Sequence, residues 1–304
     1  MKIFLNTSNE SWIVDRFVEE FIKFNPQLIT KKVEDADIVW VISPWTWRNI
    51  SKKLLKKKKV ICTIHHIDFD KFTGKESREF YKLDKFVDFY HAISKNTAEQ
   101  LRTLTSKEIT TLPFWIDENI WYEISDKNSL RKKFNINQNS FCIGSFQRDT
   151  EGKGKNQPKL SKGPDQFLKI VKELNLEKPV SVILTGYRRS YLIKELQKEN
   201  INFYYFEKVS QTQINELYNC LDLYIVSSRV EGGPQAILEC AITKTPIIST
   251  DVGVAAEILS KESIFNMENF GYAKPNTSYA YEKVKPYVVP SGLTGYIEMF
   301  KKVI

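Results

Sequence analysis

Short apolar runs alternate with amphipathic helical patterns along almost the whole 304-residue chain. Strands are predicted at residues 2–6, 37–43, 59–65, 86–94, 109–114, 141–146, 180–186, 201–207, 223–228 and 246–250. Helices are predicted between them, for example at residues 94–105, 163–174, 189–198 and 211–220. Strands that alternate with helices form parallel sheets covered by helices, so the sequence predicts an α/β protein.

Ten strands divide naturally into two sheets. Pro, Asp and Asn gather around residues 113–128, which indicates a break between two α/β domains. Ligands of such folds bind outside the carboxyl ends of the parallel strands. The segments "HHID", "GSFQR" and "SSRVEGGP" follow predicted strands, so we expect ligand contacts there.

Composition narrows the class of protein. No run of 18 apolar residues exists, which argues against a membrane span, and the first residues predict a strand and not a signal peptide. The four isolated cysteines are typical of reduced core residues, so we expect a cytoplasmic protein. The net charge of +8 favours an anionic ligand or surface.

The stretch "RVEGGPQAILEC", residues 229–240, combines a glycine turn with an apolar helix that carries a second carboxylate. Gly232 and Gly233 permit close approach of a ligand to the backbone, and Pro234 suits the first position of a helix whose amides face a phosphate. Glu231 and Glu239 then suit hydroxyl groups of a sugar and a ribose. The alternative is an ordinary turn with Glu239 on the solvent side of the helix.

The segment "EGGPQAILE" resembles the glutamate pair of retaining GT-B glycosyltransferases, close to glycosyltransferase family 4. "LPFWID", "IGSFQR", "KGPDQFLKIV" and "TPIISTDVGVAAEIL" resemble further segments of that family in the same order, over residues 113–260. The N-terminal half resembles it less closely, through "TIHHID" and "AISKNTAEQL".

The resemblance implies two Rossmann-like domains facing each other across a cleft. Residues 1–113 would form an acceptor-side domain, residues 114–280 a nucleotide-sugar-binding domain, and residues 281–304 a segment crossing back to the first. It implies a retaining, hexosyltransferase-type enzyme that moves a sugar from a UDP- or GDP-linked donor to a hydroxyl of a glycan or lipid-linked acceptor. No metal ion or other cofactor is implied.

The resemblance also implies roles for individual residues. Arg148 and Lys162 would bind the diphosphate, with Glu231 on the sugar and Glu239 on the ribose, and the nucleobase would lie near Lys208 and Val209. The remaining implied donor contacts are Gly144, Ser145, Gly232, Gly233, Pro234 and Gln235. Surface charge is the alternative for the two cations. The segment between them is longer than the family usually has, so Lys153, Lys155 or Lys159 are candidates to share their role.

Two histidines follow the third predicted strand. His65 matches the family's first-domain histidine best, and His66 is its neighbour and competitor. A proton carrier, a positioning hydrogen bond and a structural turn residue are the open interpretations. "DFD" at residues 68–70 resembles the metal motif of another glycosyltransferase fold, but one short match does not establish a metal site.

Acceptor-side candidates are Asn6 and Thr7, in the loop "NTSNES" where the family often has glycines, and Trp45 in "SPWTW". Trp45 would stack on a sugar, or belong to a half-buried aromatic pair. The basic run Lys52–Lys59 is a solvated helix end or a docking site for an anionic membrane at the inner face.

Two other functions remain open from the sequence. One is a noncatalytic nucleotide-sugar-binding protein, which would form no product from a donor. The other is a nucleic-acid-directed binder or glycosyltransferase, whose affinity for a duplex would fall steeply with salt.

Overall fold

The computed structural model describes residues 1–7, 13–152 and 156–304, and divides into two units. Unit 1 comprises Met1–Trp115 and Val289–Ile304, and unit 2 comprises Ile116–Val288. Each unit contains one parallel sheet. The predicted α/β class is therefore confirmed.

Unit 1 is built on a five-stranded sheet of order β1-β2-β3-β4-β5. Its strands are β1 Ile3–Asn6, β2 Ile38–Val41, β3 Lys59–Ile64, β4 Phe89–Ala92 and β5 Ile109–Thr111. Its helices are α1 Ile13–Phe24, α2 Lys52–Leu55, α3 Lys75–Asp84, α4 Lys95–Arg102 and, near the C-terminus, α12 Thr294–Lys301.

Aromatic packing places α12 in unit 1. The Phe300 ring meets Trp40 at 5.1 Å and Phe21 at 5.8 Å between centroids, so α12, β2 and α1 share one core. The Tyr296 hydroxyl donates to the Pro113 carbonyl at 3.0 Å. The final helix is thus fixed to the sheet by apolar burial and by a hydrogen bond.

Unit 2 is built on a six-stranded sheet of order β11-β10-β9-β6-β7-β8. Its strands are β6 Phe141–Ser145, β7 Val180–Thr185, β8 Asn202–Phe206, β9 Leu223–Val226, β10 Ile247–Thr250 and β11 Ile264–Phe265. Its helices are α5 Lys127–Lys133, α6 Pro164–Glu177, α7 Ser190–Lys198, α8 Gln211–Asn219, α9 Gln235–Ile242, α10 Ala255–Ile258 and α11 Thr277–Val284.

The strand order of unit 2 is that of a dinucleotide-binding fold. The chain runs outward from β6 through β7 and β8, then restarts at β9 on the other side of β6. The carboxyl ends of β6 and β9 therefore meet at a topological switch point, where α/β sheets bind their ligands. Apolar clusters cover both faces of this sheet, which explains why its strands are continuous apolar runs.

Candidate active site

Lys162 and Glu231 form an ion pair at the switch point of unit 2. The side chains are 23% and 12% exposed, so the pair is largely screened from water but remains accessible. The Ser228 hydroxyl, at the end of the β9 segment, lies 3.4 Å from the same Glu231 oxygen. The structure thus brings together a cation and a carboxylate that lie 69 positions apart in the sequence.

A glycine contact holds Lys162 in place. The 3₁₀ turn Leu160–Lys162 ends at Gly163, whose φ is 60°. A Cβ at Gly163 would lie 1.7 Å from the Ser227 carbonyl oxygen, so only glycine permits this approach. The Ser227 hydroxyl donates to the Gly163 carbonyl at 2.8 Å, which completes the attachment of this turn to the end of β9.

A second glycine contact supports the "EGGP" loop. Gly253 has a φ of 55°, and a Cβ there would lie 2.4 Å from the carbonyl oxygen of Gly232. The loop after β10 therefore packs against the backbone of Gly232 and Gly233. Pro234 immediately precedes α9 instead of occupying its first position, and Gln235 is the first helical residue.

Glu239 lies inside α9 and is only 6% exposed, so the solvent-side interpretation of this carboxylate is wrong. One of its oxygens accepts a hydrogen bond from the Tyr218 hydroxyl at 2.8 Å. Burial, and then the charge of Glu239, raise the pKa of Tyr218 well above its usual value, so the phenol remains a donor. The carboxylate is therefore held by a specific partner on α8.

Arg148 follows β6 and is partly buried. Burial and, after it, the nearby guanidinium of Arg188 lower the pKa of Arg148. Arg188 follows β7, has a φ of 60° and is exposed. Two arginines are therefore close together at the carboxyl ends of adjacent strands, an arrangement that favours an anionic ligand.

The two ends of the segment between Arg148 and Lys162 pair with each other. Thr150 pairs with Pro158 in antiparallel fashion, and the Lys159 amide donates to the Asp149 carbonyl at 2.7 Å. The Lys159 ammonium lies 4.0 Å from Glu151. Lys153 and Lys155 lie outside the described residues.

The other predicted donor contacts occupy different surroundings. Gly144 lies within β6, where a Cβ would be 2.3 Å from a methyl carbon of Leu221, so any larger residue there would displace the Leu221 side chain. The Ser145 hydroxyl accepts from Arg189 at 3.3 Å. Lys208 and Val209 follow β8 at the sheet edge; Lys208 is exposed, and Val209 packs against the core.

His65 follows β3 in unit 1, where Nε2 is 2.8 Å from the Ile42 carbonyl oxygen. Because a carbonyl only accepts, Nε2 carries the proton and Nδ1 is the acceptor nitrogen of the neutral ring. The ring stacks on Phe114 at 5.7 Å and meets Trp45 at 5.8 Å between centroids. Burial lowers the pKa of His65 to about 4. The neighbouring His66 is exposed to solvent.

The acceptor-side candidates also lie at carboxyl ends of strands in unit 1. The Asn6 amide donates to Thr46 at 2.8 Å, beside Trp45, whose side chain is 48% exposed. Thr7 follows β1 and is partly buried, and positions 8–11 of the loop "NTSNES" lie outside the described residues. Asn6 and His65 are therefore both hydrogen-bonded to the segment that follows β2, Asn6 at Thr46 and His65 at the Ile42 carbonyl. Trp45 belongs to the same segment.

His91 is a core residue. Its Nε2 donates to the Leu112 carbonyl at 2.8 Å, and its Nδ1 lies 3.0 Å from the Thr63 hydroxyl. Trp40 donates to the same hydroxyl at 2.8 Å. Burial lowers the pKa of His91 to about 4, so this chain of bonds is complete only with a neutral imidazole.

No group of three or more His, Cys, Asp and Glu side chains suited to a metal ion occurs within residues 1–7, 13–152 and 156–304. Asp68 of the "DFD" motif pairs with Lys71 at 3.1 Å, and Asp70 is exposed. Across those same ranges, every helix is too short or too polar to cross a membrane.

Comparison with known proteins identifies the class of site. Residues 127–272, which contain Arg148, Lys162, Glu231 and Glu239, match the family described as glycosyl transferases group 1. This segment carries a glycosyl transferases group 1 domain, and the protein is a glycosyltransferase. No curated protein matches it by sequence.

Solved structures of glycosyltransferases resemble the whole chain. HepE from Anabaena in complex with UDP superposes with a TM-score of 0.74 at 15% identity, over 99% of this chain and 100% of that chain. Sucrose-phosphate synthase from Thermosynechococcus elongatus gives 0.67 at 12% identity, over 98% and 80%. A glycosyltransferase from Rickettsia africae gives 0.64 at 16% identity, over 98% and 83%. At these identities the likeness shows the fold, and the predicted GT-B architecture is confirmed.

Sequence reasoning missed several residues of the glycosyltransferase that contact the candidate site. Tyr218 on Glu239 and Ser228 near Glu231 lie in segments that carry the family resemblance, but nothing in their own spacing marks them. Arg189 is buried beside Asp149, although "GYRRSY" gives no signal that separates it from the exposed Arg188.

Proposed function

We propose that this glycosyltransferase transfers a hexose-type sugar from a nucleotide diphosphate sugar to an acceptor hydroxyl, with retention at the anomeric carbon. The Lys162–Glu231 ion pair at the switch point carries the proposal. A diphosphate is bound by a cation, and sugar hydroxyls are bound by a carboxylate. Here the ammonium of Lys162 and the carboxylate of Glu231 lie side by side in one accessible place. Each neutralises the other until a donor binds between them.

A UDP-linked sugar is the first donor to test, because HepE has been solved with UDP-glucose. Arg148 and Lys162 bind the diphosphate, and the start of α9 adds backbone amides. Glu231 binds the sugar, Glu239 binds the ribose, and the segment around Lys208 and Val209 borders the nucleobase. A glycan or lipid-linked hydroxyl is the acceptor, met by unit 1.

The proposed reaction is a front-face displacement. The bond between the anomeric carbon and the phosphate oxygen breaks, and its electron pair leaves with the diphosphate. The acceptor oxygen attacks from the same face and passes its proton to the departing phosphate oxygen. Arg148 and Lys162 stabilise the charge that accumulates there, so no bound divalent ion is required.

His65 acts as a positioning group in this proposal. With a pKa of about 4 and its Nε2 proton used by Ile42, it is a poor proton carrier near neutral pH. Its Nδ1 is an acceptor suited to a substrate hydroxyl. The geometry therefore supports the hydrogen-bonding interpretation over the acid–base one.

The test is release of UDP and transfer of sugar in single-turnover assays with saturating UDP-sugars. Arg148→Ala and Lys162→Ala should each slow the chemical step about a hundredfold or more, with a smaller change in donor affinity. Arg148→Lys should rescue poorly, because an ammonium cannot replace a bidentate guanidinium.

Lys133→Ala is the matched control, because Lys133 forms a surface ion pair with Glu216 at 2.6 Å on α5 and α8. Its rate should equal that of the wild type, and excess EDTA should leave the wild-type rate unchanged. Near wild-type rates in both site variants, or activity that EDTA abolishes and manganese restores, would contradict the proposal.

A further inference from the structure

A completely buried guanidinium lies beneath the loop that carries Arg148. The Arg189 side chain is 0% exposed, and its Nε lies 2.8 Å from a carboxylate oxygen of Asp149, which is 2% exposed. Removing two charges from water costs free energy that their attraction barely offsets, so a buried ion pair contributes little net stability. The pair therefore needs an explanation beyond stability.

The remaining Arg189 contacts lie around Arg148. One terminal nitrogen donates to the Gln147 carbonyl, and it also lies 3.4 Å from the Thr185 carbonyl oxygen. Together with its Asp149 contact, Arg189 binds both chain neighbours of Arg148. One rigid group thus holds the Gln147 carbonyl and the Asp149 carboxylate, on either side of the candidate phosphate ligand.

Asp149 fastens the same segment to the next strand–helix turn. Its amide donates to the Arg188 carbonyl at 3.2 Å, and its carboxylate accepts from the Thr150 hydroxyl at 2.7 Å. The Thr150 hydroxyl in turn accepts from the Tyr191 amide at 2.9 Å, at the start of α7. The loop after β6 and the loop after β7 are therefore one connected unit.

The network also reaches the second cation. The Gln147 side-chain amide donates to the Lys162 carbonyl at 3.0 Å, and its oxygen lies 3.3 Å from the Ser228 hydroxyl. A shift of residue 147 would therefore disturb both cations of the candidate site.

We infer that Arg189, with Asp149, is a positioning residue that aims Arg148 at the leaving diphosphate. The inference rests on the proposed function, because Arg189 can position Arg148 for sugar transfer only if Arg148 binds the leaving diphosphate. Arg189 touches no substrate: it acts through the carbonyl of Gln147 and the carboxylate of Asp149. Small displacements of a group that stabilises a transition state cost rate more than they cost ground-state binding.

Arg189→Lys is the first test. A lysine retains one positive charge for Asp149 but cannot span Asp149, Gln147 and Ser145 together. The rate of UDP release at saturating donor should fall on the order of tenfold to a hundredfold, with UDP affinity changed less than the rate. In an Arg148→Ala background the same substitution should cause a smaller further loss, because only the effect that reaches Lys162 through Gln147 remains.

Arg131→Lys is the matched control within unit 2. Arg131 is also buried, pairs with Asp222 at 2.6 Å and donates to the Cys220 carbonyl at 2.9 Å. That network lies at the amino ends of β6 and β9, the opposite edge from Arg148. Arg131→Lys should lower the melting temperature comparably while the transfer rate stays at the wild-type value.

The double variant Asp149→Leu/Arg189→Met removes the charges together and leaves no buried ion alone. It should fold and show the same slow transfer. A wild-type rate in folded Arg189→Lys or in the double variant would overturn the inference, as would an equal rate loss in Arg131→Lys. Failure of both site variants to fold, with Arg131→Lys folded, would make the pair a folding determinant and also overturn it. A wild-type rate in Arg148→Ala would instead overturn the proposed role of Arg148 itself.

Discussion

At the scale of single residues, the hydrogen bond from Tyr218 explains how the apolar helix α9 can contain the carboxylate of Glu239. Glu239 is nearly inaccessible, and an isolated carboxylate there would be expensive to desolvate. The Tyr218 hydroxyl compensates part of that cost at 2.8 Å and also orients the group. We therefore expect Tyr218 to affect nucleotide binding without touching the nucleotide.

Glu239→Ala should weaken the binding of UDP and of a UDP-sugar together, by roughly 1.5–3 kcal/mol for a lost hydrogen bond to a charged acceptor. Tyr218→Phe should weaken both by a smaller amount, and it should have no added effect in the Glu239→Ala protein. Isothermal titration with UDP measures all four proteins. Wild-type UDP affinity in Glu239→Ala would remove the ribose role.

His65→Ala should lower the transfer rate far more than UDP affinity, because His65 lies in unit 1 and the proposed nucleotide contacts lie in unit 2. His66→Ala is the control, because His66 is the next residue in the chain but is exposed to solvent. A rate loss confined to His66→Ala would show that the functional histidine is the other one. Equal losses of rate and affinity in His65→Ala would indicate a structural role.

At the scale of elements, the sequence predicts strands well because both sheets are parallel and buried on both faces. All ten predicted strands are present. The central strands are apolar because a strand covered on two sides must be apolar throughout, whereas the edge strands β5 and β8 are only partly buried. The eleventh strand, Ile264–Phe265, was not predicted because two residues show no period. The predicted strand at 86–94 begins late, at Phe89, because Phe86 instead closes a turn onto Leu83 at 2.8 Å.

The turn before α6 provides a prediction at this scale. Gly163→Ala would place a methyl group on the Ser227 carbonyl, so the turn that carries Lys162 must move. We expect a destabilisation of more than about 1 kcal/mol and a slower transfer step. Gly74→Ala is the control for backbone strain without a clash, because Gly74 has a φ of 55° and a ψ of −100°, and a Cβ there would meet nothing within 4 Å.

Thermal unfolding and single-turnover transfer distinguish the two substitutions. Gly74→Ala should show only the cost of a strained backbone and a wild-type transfer rate. If Gly163→Ala also kept the wild-type transfer rate, close packing of this turn on β9 would not matter to Lys162.

At the scale of the whole molecule, the family resemblance named the residues of the candidate site, and the fold explains how Lys162 and Glu231 meet. Lys162 and Glu231 come together because β6 and β9 are neighbours at the switch point, which no local pattern reveals. The Asp149–Arg189 pair could not be predicted from the sequence for a different reason. Charged residues are normally exposed, and only tertiary packing shows which arginine of "RR" is buried.

Two histidines of unit 1, the buried His91 and the partly buried His65, make the stability of the protein depend on pH. Burial depresses the pKa of His65 and of His91 to about 4, below the value near 6.5 of an unfolded histidine. Between these values the unfolded chain binds protons that the folded chain does not. Acidification therefore favours unfolding, and the stabilisation present above pH 6.5 is lost as pH falls toward 4.

Each histidine should contribute up to about 1.4 kcal/mol per pH unit to this slope. Denaturant titrations followed by tryptophan fluorescence measure it between pH 6.5 and 5, a range in which ordinary carboxylates stay ionised. Buried Trp40 lies in the same hydrogen-bonded chain as His91, so it reports on this unit. His91→Gln should reduce the slope by one histidine's share. A slope that His91→Gln does not alter would mean that His91 titrates in the folded chain as it does in the unfolded one, and the closed Trp40–Thr63–His91–Leu112 chain of bonds would then not exist in solution.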